Sequence, residues 1–162
     1  MIEEVIDWPT GPVRIAWNGT NKPALPLTGA HGFCFHRGEV LVCDIRGRGL
    51  TIPGGHLDEH ESATDCLKRE ASEEAGVRLT NIALVGFIEV DHRNNEHFDG
   101  RYPLRSILAI YRADVSEAGE FKPRHESTDR RFVPIDQLPS VHHEWNAVLG
   151  EALRVAGSMN PR

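Results

Sequence analysis

With 162 residues, of which 40% are hydrophobic and 26% charged, the chain has the size and balance of one globular domain spanning 1–162 with its own core. Its 24 acidic residues outnumber 18 basic ones, for a formal charge of −6, which excludes sequence-independent nucleic-acid binding through a basic stripe and leaves an anionic substrate to local arginines and bound cations. No apolar run reaches the roughly 18 residues a membrane span needs, and the acidic start MIEEVIDWPTG lacks the charged-then-apolar order of an export signal.

In chain order, Val13 to Trp17 alternates as a short strand between Pro9, Gly11, Pro12 and Asn18-Gly19. Trp8 and Trp17 are expected to pack on the core, and Pro23 and Pro26 mark an irregular lead-in. Ala30 to His36 and Glu39 to Ile45 are apolar-rich runs joined by Arg37-Gly38, which predicts a hairpin. Arg46-Gly47-Arg48-Gly49 then turns into a short strand, Leu50 to Ile52. Arg46 and Arg48 are candidate phosphate contacts. Pro53-Gly54-Gly55 ends that strand; paired glycines let backbone approach a bound group and leave the Gly54 carbonyl as an oxygen donor.

Ser62 is a fitting helix N-cap, and Gly76 suits the left-handed residue that closes a helix, so Ala63 to Ala75 is expected to be helical. Asn81 to Asp91 follows as a strand with a bulge at Gly86. The loop His92 to Pro103 is long, aromatic and charged, the kind that carries specificity on a rigid sheet, with Arg93 and Arg101 as candidate substrate contacts. Leu104 to Val115 is a strand, Ser116 to Ser127 a polar loop, Arg131 to Pro134 extended, and Ile135 to Pro139 a turn. His142 to Ala156 carries Trp145, Val148, Leu149 and Leu153 at helical spacing, and Ser158 to Arg162 should fray. The sum is an α/β chain, a mixed β-sheet with two helices.

On the first helix, Glu70, Glu73 and Glu74 leave the same face within roughly a 100° arc. Like charges at that spacing repel by a few tenths of a kcal/mol per pair. Divalent cations remove the objection, because a hard cation needs several carboxylate oxygens together. A solvated acidic face is the bland alternative. It gives way to the fixed places of Gly55, Glu61, Arg69 and Gly76 around these acids.

Those places fill G-x5-E-x7-R-E-U-x-E-E-x-G-U, U being aliphatic or similar, with Gly55, Glu61, Arg69, Glu70, Ala71, Glu73, Glu74, Gly76 and Val77. The stretch resembles the Nudix box, and the chain is identified as a member of the Nudix hydrolase (MutT-like) family. The resemblance implies an α/β/α sandwich and Mg2+-dependent hydrolysis, with Mn2+ able to substitute, of a diphosphate linkage in a nucleoside diphosphate-X substrate. It implies Glu70 and Glu74 as metal ligands, Glu73 as a direct or water-mediated one, and the Gly54 carbonyl beside them. Arg69 is expected to orient a glutamate, Glu61 to support the loop or the outer metal shell, and the loop at Gly55 to meet the diphosphate. The general base is a box glutamate or a later acid. Glu126 and Asp129 are the candidates, with Glu126 preferred and Glu96 and Glu120 weaker.

The implied partner is a small nucleotide or nucleotide-sugar, with no nucleic acid or membrane, on a monomer or homodimer. Position 93 is Arg93, and Tyr102 and Pro103 lie too far downstream for the ADP-ribose and dinucleoside-polyphosphate subclasses, so a triphosphate-directed or broad activity is preferred. The alternative of a catalytically silent, ligand-sensing Nudix-like domain is disfavoured by the intact box. Prenyl diphosphate isomerisation would need a catalytic cysteine, whereas Cys34 and Cys43 fall in expected strands. These two and Cys66, without CxxC spacing, read as buried thiols of a reducing compartment, so the expected location is cytoplasmic. The nine histidines form no zinc pattern: His56 and His60 lie in the box loop, and His92, His97, His142 and His143 suit the surface or a substrate loop.

Overall fold

The computed structural model of the protein describes residues 1–159. A hairpin of β1 (Glu3–Trp8) and β2 (Gly11–Trp17) is followed by β3 (Leu27–His36), β4 (Glu39–Ile45), β5 (Gly49–Thr51) and β6 (Gly54–His56). Helix α1 (Ala63–Ala75) leads into two long strands, β7 (Val77–Asp91) and β8 (Arg105–Ala118), and then β9 (Ser127–Pro134). A 3₁₀ turn (Ile135–Gln137), a single α-helical turn α2 (Leu138–Val141) and helix α3 (Ala147–Ser158) complete it.

The strands form one mixed sheet in the order β1-β2-β7-β8-β3-β4-β5, with β6 on β3 and β9 on β4. Its parallel pair is β3 with β8. Strand β3 divides its other edge: Gly29 to His31 pair with β6, while Phe35 and His36 pair with β4. Phe33, Phe35, Val40 and Val42 point to one face of the sheet, and Cys34, Leu41 and Cys43 to the other. A strand buried on both faces reads as a continuous apolar run, which is how β3 and β4 show themselves in the sequence. Helix α3 covers the first face through Val148, Ala152 and Ala156, and α1 covers the second through Cys66, Leu67, Ala71 and Ala75. The α/β/α sandwich is thus built as expected.

Several local expectations are met by visible causes. Arg37 and Gly38 both have positive φ, 51° and 80°, the two-residue turn that suits the twist of a hairpin. The register of β7 on β8 slips between Leu84 and Gly86, and a Cβ at Gly86 would lie 2.6 Å from Trp17. Trp8 and Trp17 pack against the α3-side core, and the three cysteines are free and buried.

Other boundaries differ. Strand β1 was not expected, because an edge strand exposed over most of its length leaves no alternation to read. The polar segment from Ser127 becomes strand because β4 supplies its backbone partners, Asp129 opposite Asp44 and Arg130 opposite Cys43. The last helix starts at Ala147 and not at His142. Glu144 sits at φ 52°, and Asn146 caps the helix by accepting the Leu149 N–H at 2.9 Å. Among the described residues, three α-helices therefore stand where two were expected. Of the C-terminal stretch expected to fray, Ser158 closes α3, and residues 160–162 lie outside the described part. No helix among the described residues is long and apolar enough to cross a membrane.

Leu67 is fully buried beneath α1, its Cδ2 lying 2.8 Å from where a Cβ on Gly32 would stand. Leu67→Ala is expected to cost about 2–5 kcal/mol of stability, read as a lower urea midpoint at unchanged m-value.

Candidate active site

Helix α1 is phased by its caps. Ser62 Oγ accepts the Asp65 N–H at 3.1 Å, and Gly76, at φ 65°, donates its N–H to the Ala71 and Ser72 carbonyls. That phase presents Glu70 and Glu74 to β6. The Gly54 N–H donates to Glu74 Oε1 at 3.3 Å. Each glycine of β6 is required on a different side. A Cβ at Gly55 would lie 2.6 Å from Glu70 Oε1, and one at Gly54 would overlap the His31 ring and the Ala30 carbonyl.

Arg69 ties the loop before α1 to the helix. Its Nε and Nη2 donate to Glu61 Oε2 and Oε1 at 2.8 and 3.0 Å, a bidentate pair. Nη2 also reaches the His56 carbonyl at 3.1 Å. Nη1 donates to Glu70 Oε1 at 2.8 Å and to Glu73 Oε2 at 3.3 Å. Glu61 accepts the Asp58 N–H at 3.0 Å as well. The Arg69 hydrogen bonds, then that N–H, hold the Glu61 carboxyl down to about 2. Glu61 is a fixed anion that fastens the loop.

Glu74 is in a different state. Burial, and then its hydrogen bond and charge contact with Glu70, push its carboxyl well above the usual range, while the Gly54 N–H and the charge of Arg48 oppose this. Two carboxylates in contact on one side of a helix hold a proton between them or a cation. The set is all oxygen, as Mg2+ or Mn2+ requires, so the residues present fit a divalent ion. Among the described residues no three acidic, histidine or cysteine side chains close into a finished metal cage; Glu73 leans on Arg69.

Glu126 lies in the turn before β9. Its carbonyl accepts the Arg46 N–H at 2.8 Å, its side chain is exposed, and its neighbour Ser127 is bonded to the Glu74 carbonyl. Asp129 is engaged by the Arg130 N–H and by Arg131 Nε, at 2.8 and 3.0 Å. Glu96 and Glu120 are exposed loop residues.

The opposite side of β6 carries imidazoles. The register sets His31 across from Gly54 and His56 across from Gly29, so both side chains share the α3 face. Burial, then the charges of His56, His142 and Arg48, bring the His31 ring down to about 4. His56 is lowered too, first by burial and then by Arg48, and it stacks on Tyr102 with centroids 4.5 Å apart and planes 2° from parallel. His142 Nδ1 lies 2.7 Å from the His143 carbonyl, and its buried Nε2 has no protein partner among the described residues. The charge of Arg48, an exposed residue, acts on His31, His56 and Glu74 alike, whereas Arg46 meets the turn before β9 through its backbone. Arg93 is clamped to Asp91, Nη2 to Oδ2 at 2.7 Å, and Arg101 pairs with Asp99 at 3.9 Å.

The structure brings Gly54, Gly55, Glu61, Arg69, Glu70, Glu73 and Glu74 together, leaves the Arg46 and Arg48 side chains exposed, and engages Arg93 and Arg101 with Asp91 and Asp99. His31 and the stacked His56–Tyr102 pair were missed by sequence reasoning. The available signal was a histidine inside an otherwise apolar strand.

The NUDIX domain family model matches residues 27–154. Nudix hydrolase 16, mitochondrial, of Arabidopsis thaliana is 30% identical over 108 residues, which is 65% of this chain and 59% of that protein; the match thus spans under two thirds of the relative's length. A mutant form of the Bacillus subtilis pyrophosphohydrolase shares the fold at TM-score 0.71 and 19% identity, over 97% of this chain and 96% of that one. The Escherichia coli dihydroneopterin triphosphate pyrophosphohydrolase does so at 0.58 and 12%, over 80% and 95%.

If Arg69 fastens the loop, Arg69→Met should raise amide hydrogen exchange across residues 55–61 by roughly tenfold or more while α1 stays protected. Unchanged exchange in that loop would show that Glu61 is held by something else.

Proposed function

This chain belongs to the Nudix family, and on that premise we propose that it is a Mg2+-dependent pyrophosphohydrolase cutting a diphosphate linkage in a nucleoside triphosphate or related nucleoside diphosphate-X. The observation that carries this reading is the contact between Glu70 and Glu74 above the Gly54–Gly55 backbone. Arg69 satisfies Glu61 with two of its nitrogens and reaches Glu70 and Glu73 with the third; among the described residues Glu74 has no ion pair, its side chain accepting the Gly54 N–H.

Glu70 and Glu74, with Glu73 and the Gly54 carbonyl, would hold the Mg2+, or Mn2+ in its stead. When bound, the cation supplies positive charge against the diphosphate oxygens. Arg69 keeps Glu70 in place. Gly55 lets the diphosphate approach the backbone, and Arg48 meets phosphate oxygens at the border. The stacked His56–Tyr102 pair offers a flat wall for the rest of the substrate. Glu126 takes the proton from the attacking water as its oxygen bonds to phosphorus and the bridging P–O bond breaks. The net charge of −6 supports a small-molecule substrate. Three free, buried thiols support a reducing compartment such as the cytoplasm.

A panel of nucleoside triphosphates and nucleotide sugars, assayed for phosphate and pyrophosphate release with Mg2+ and Mn2+, tests the reading. Glu70→Gln and Glu74→Gln should each lower kcat by about a hundredfold or more without loss of the folded state, and EDTA should stop turnover until Mg2+ is restored. Wild-type turnover by Glu74→Gln, or activity persisting in EDTA, would sink the metal assignment. Tight nucleotide binding without turnover of any panel member would favour a sensor.

A further inference from the structure

Helix α1 ends in a way that its own sequence does not support. Its last turn carries Glu73 and Glu74 and no basic residue, although partial negative charge already gathers at that end of a helix. Gly76 satisfies the Ala71 and Ser72 carbonyls, which leaves those of the final residues without partners inside the helix. Strand β9 supplies them. Ser127 Oγ donates to the Glu74 carbonyl at 2.5 Å, and Arg130 Nη1 donates to the Ala75 carbonyl at 3.0 Å.

Both donors are fixed independently of the helix. Ser127 is 2% exposed; its N–H donates to the Arg124 carbonyl and its own carbonyl accepts the Arg124 N–H, at 3.0 and 3.2 Å. Arg130 pairs with Cys43 in the β4–β9 register, and its guanidinium carbon lies 5.8 and 5.7 Å from the ring centroids of Phe121 and Phe132. A cation so placed beside the last carbonyls offsets the charge of the two glutamates.

We infer that Ser127 and Arg130 are positioning residues for the carboxylates of α1: they fix the last turn so that the Glu74 side chain meets Glu70 and the Gly54 N–H. The inference rests on the reading of Glu70 and Glu74 as metal ligands. It also assigns a purpose to the start of β9, because Glu126 directly precedes Ser127. One hydrogen bond thereby sets the spacing between the turn that carries the base and the carboxylates it must work beside.

The test uses the full chain with Ser127→Ala, Ser127→Thr, Arg130→Met and Arg130→Lys, assayed at a temperature where every variant is folded. Bound Mn2+ is counted by electron paramagnetic resonance, and the half-saturating Mg2+ for turnover is measured beside kcat and the melting temperature. Ser127→Ala and Arg130→Met should weaken Mn2+ binding roughly tenfold and raise the half-saturating Mg2+ in step. Ser127→Thr, which keeps the hydroxyl, should restore most of it, and Arg130→Lys a part. Wild-type Mn2+ affinity in Ser127→Ala and Arg130→Met, with only a lower melting temperature, would reduce β9 to a structural support and overturn the inference. A wild-type protein that binds no Mn2+ would instead overturn the metal reading, and the inference with it.

Discussion

Three carboxylates leave one side of a short helix, and a single guanidinium serves two of them. Arg69 has five N–H donors in a rigid fork, and its Nε and Nη2 are committed to Glu61. Only Nη1 turns towards the helix acids, where it reaches Glu70 and Glu73. Glu74 receives a backbone N–H and the more distant charge of Arg48. Glu70 and Glu74 therefore share one Arg69 nitrogen and one backbone N–H, and burial and their contact hold the Glu74 carboxyl well above the usual range. On the proposed reading, a metal ion is the second cation that would join this pair.

Strand β6 is the thin partition on which this depends. It is three residues long, and successive residues face opposite sides. Gly55 faces the glutamates and Gly54 faces His31, and neither side has room for a Cβ. Carboxylates and imidazoles consequently stand back to back across one layer of backbone. An all-oxygen anionic set on one side and neutral rings with an arginine nearby on the other can divide the labour. The first suits a cation, and the second suits the uncharged or phosphate-bearing remainder of an anionic substrate.

The parts of this arrangement written in local chemistry could be read from the sequence. Ser62 and Gly76 set the bounds of α1, and Arg37-Gly38 set the hairpin, because each acts within a few residues of itself. The box glutamates were legible through their spacing. Beyond Arg69, what holds them was not. Ser127 ends the stretch that reads as loop and Arg130 precedes the expected extended segment, and they join one strand only because β4 lies beside them. Strand β6 is two glycines and a histidine, with no strand propensity of its own. Arg93 and Arg101 were candidates because they sit in a long, charged loop. Asp91 and Asp99, each two residues earlier, already offered them partners, a competition that short-range reading could have weighed.

The division between legible and hidden residues has a physical origin in what each must satisfy. A cation fixes its ligands tightly in angle and distance, so one short helix with one loop suffices, and its residues repeat as a pattern. The residues around the imidazoles come from separate elements: Arg48 from the turn before β5, Tyr102 from the β7–β8 loop, and His142 from the segment before α3. Each of these can change without disturbing the helix, because the sheet and not the box positions it. Chains of this fold can therefore keep one chemistry while exchanging what they act upon. In this chain the side of β6 away from the carboxylates carries imidazoles: burial keeps His31 uncharged near neutral pH, and the charge of Arg48 acts in the same direction.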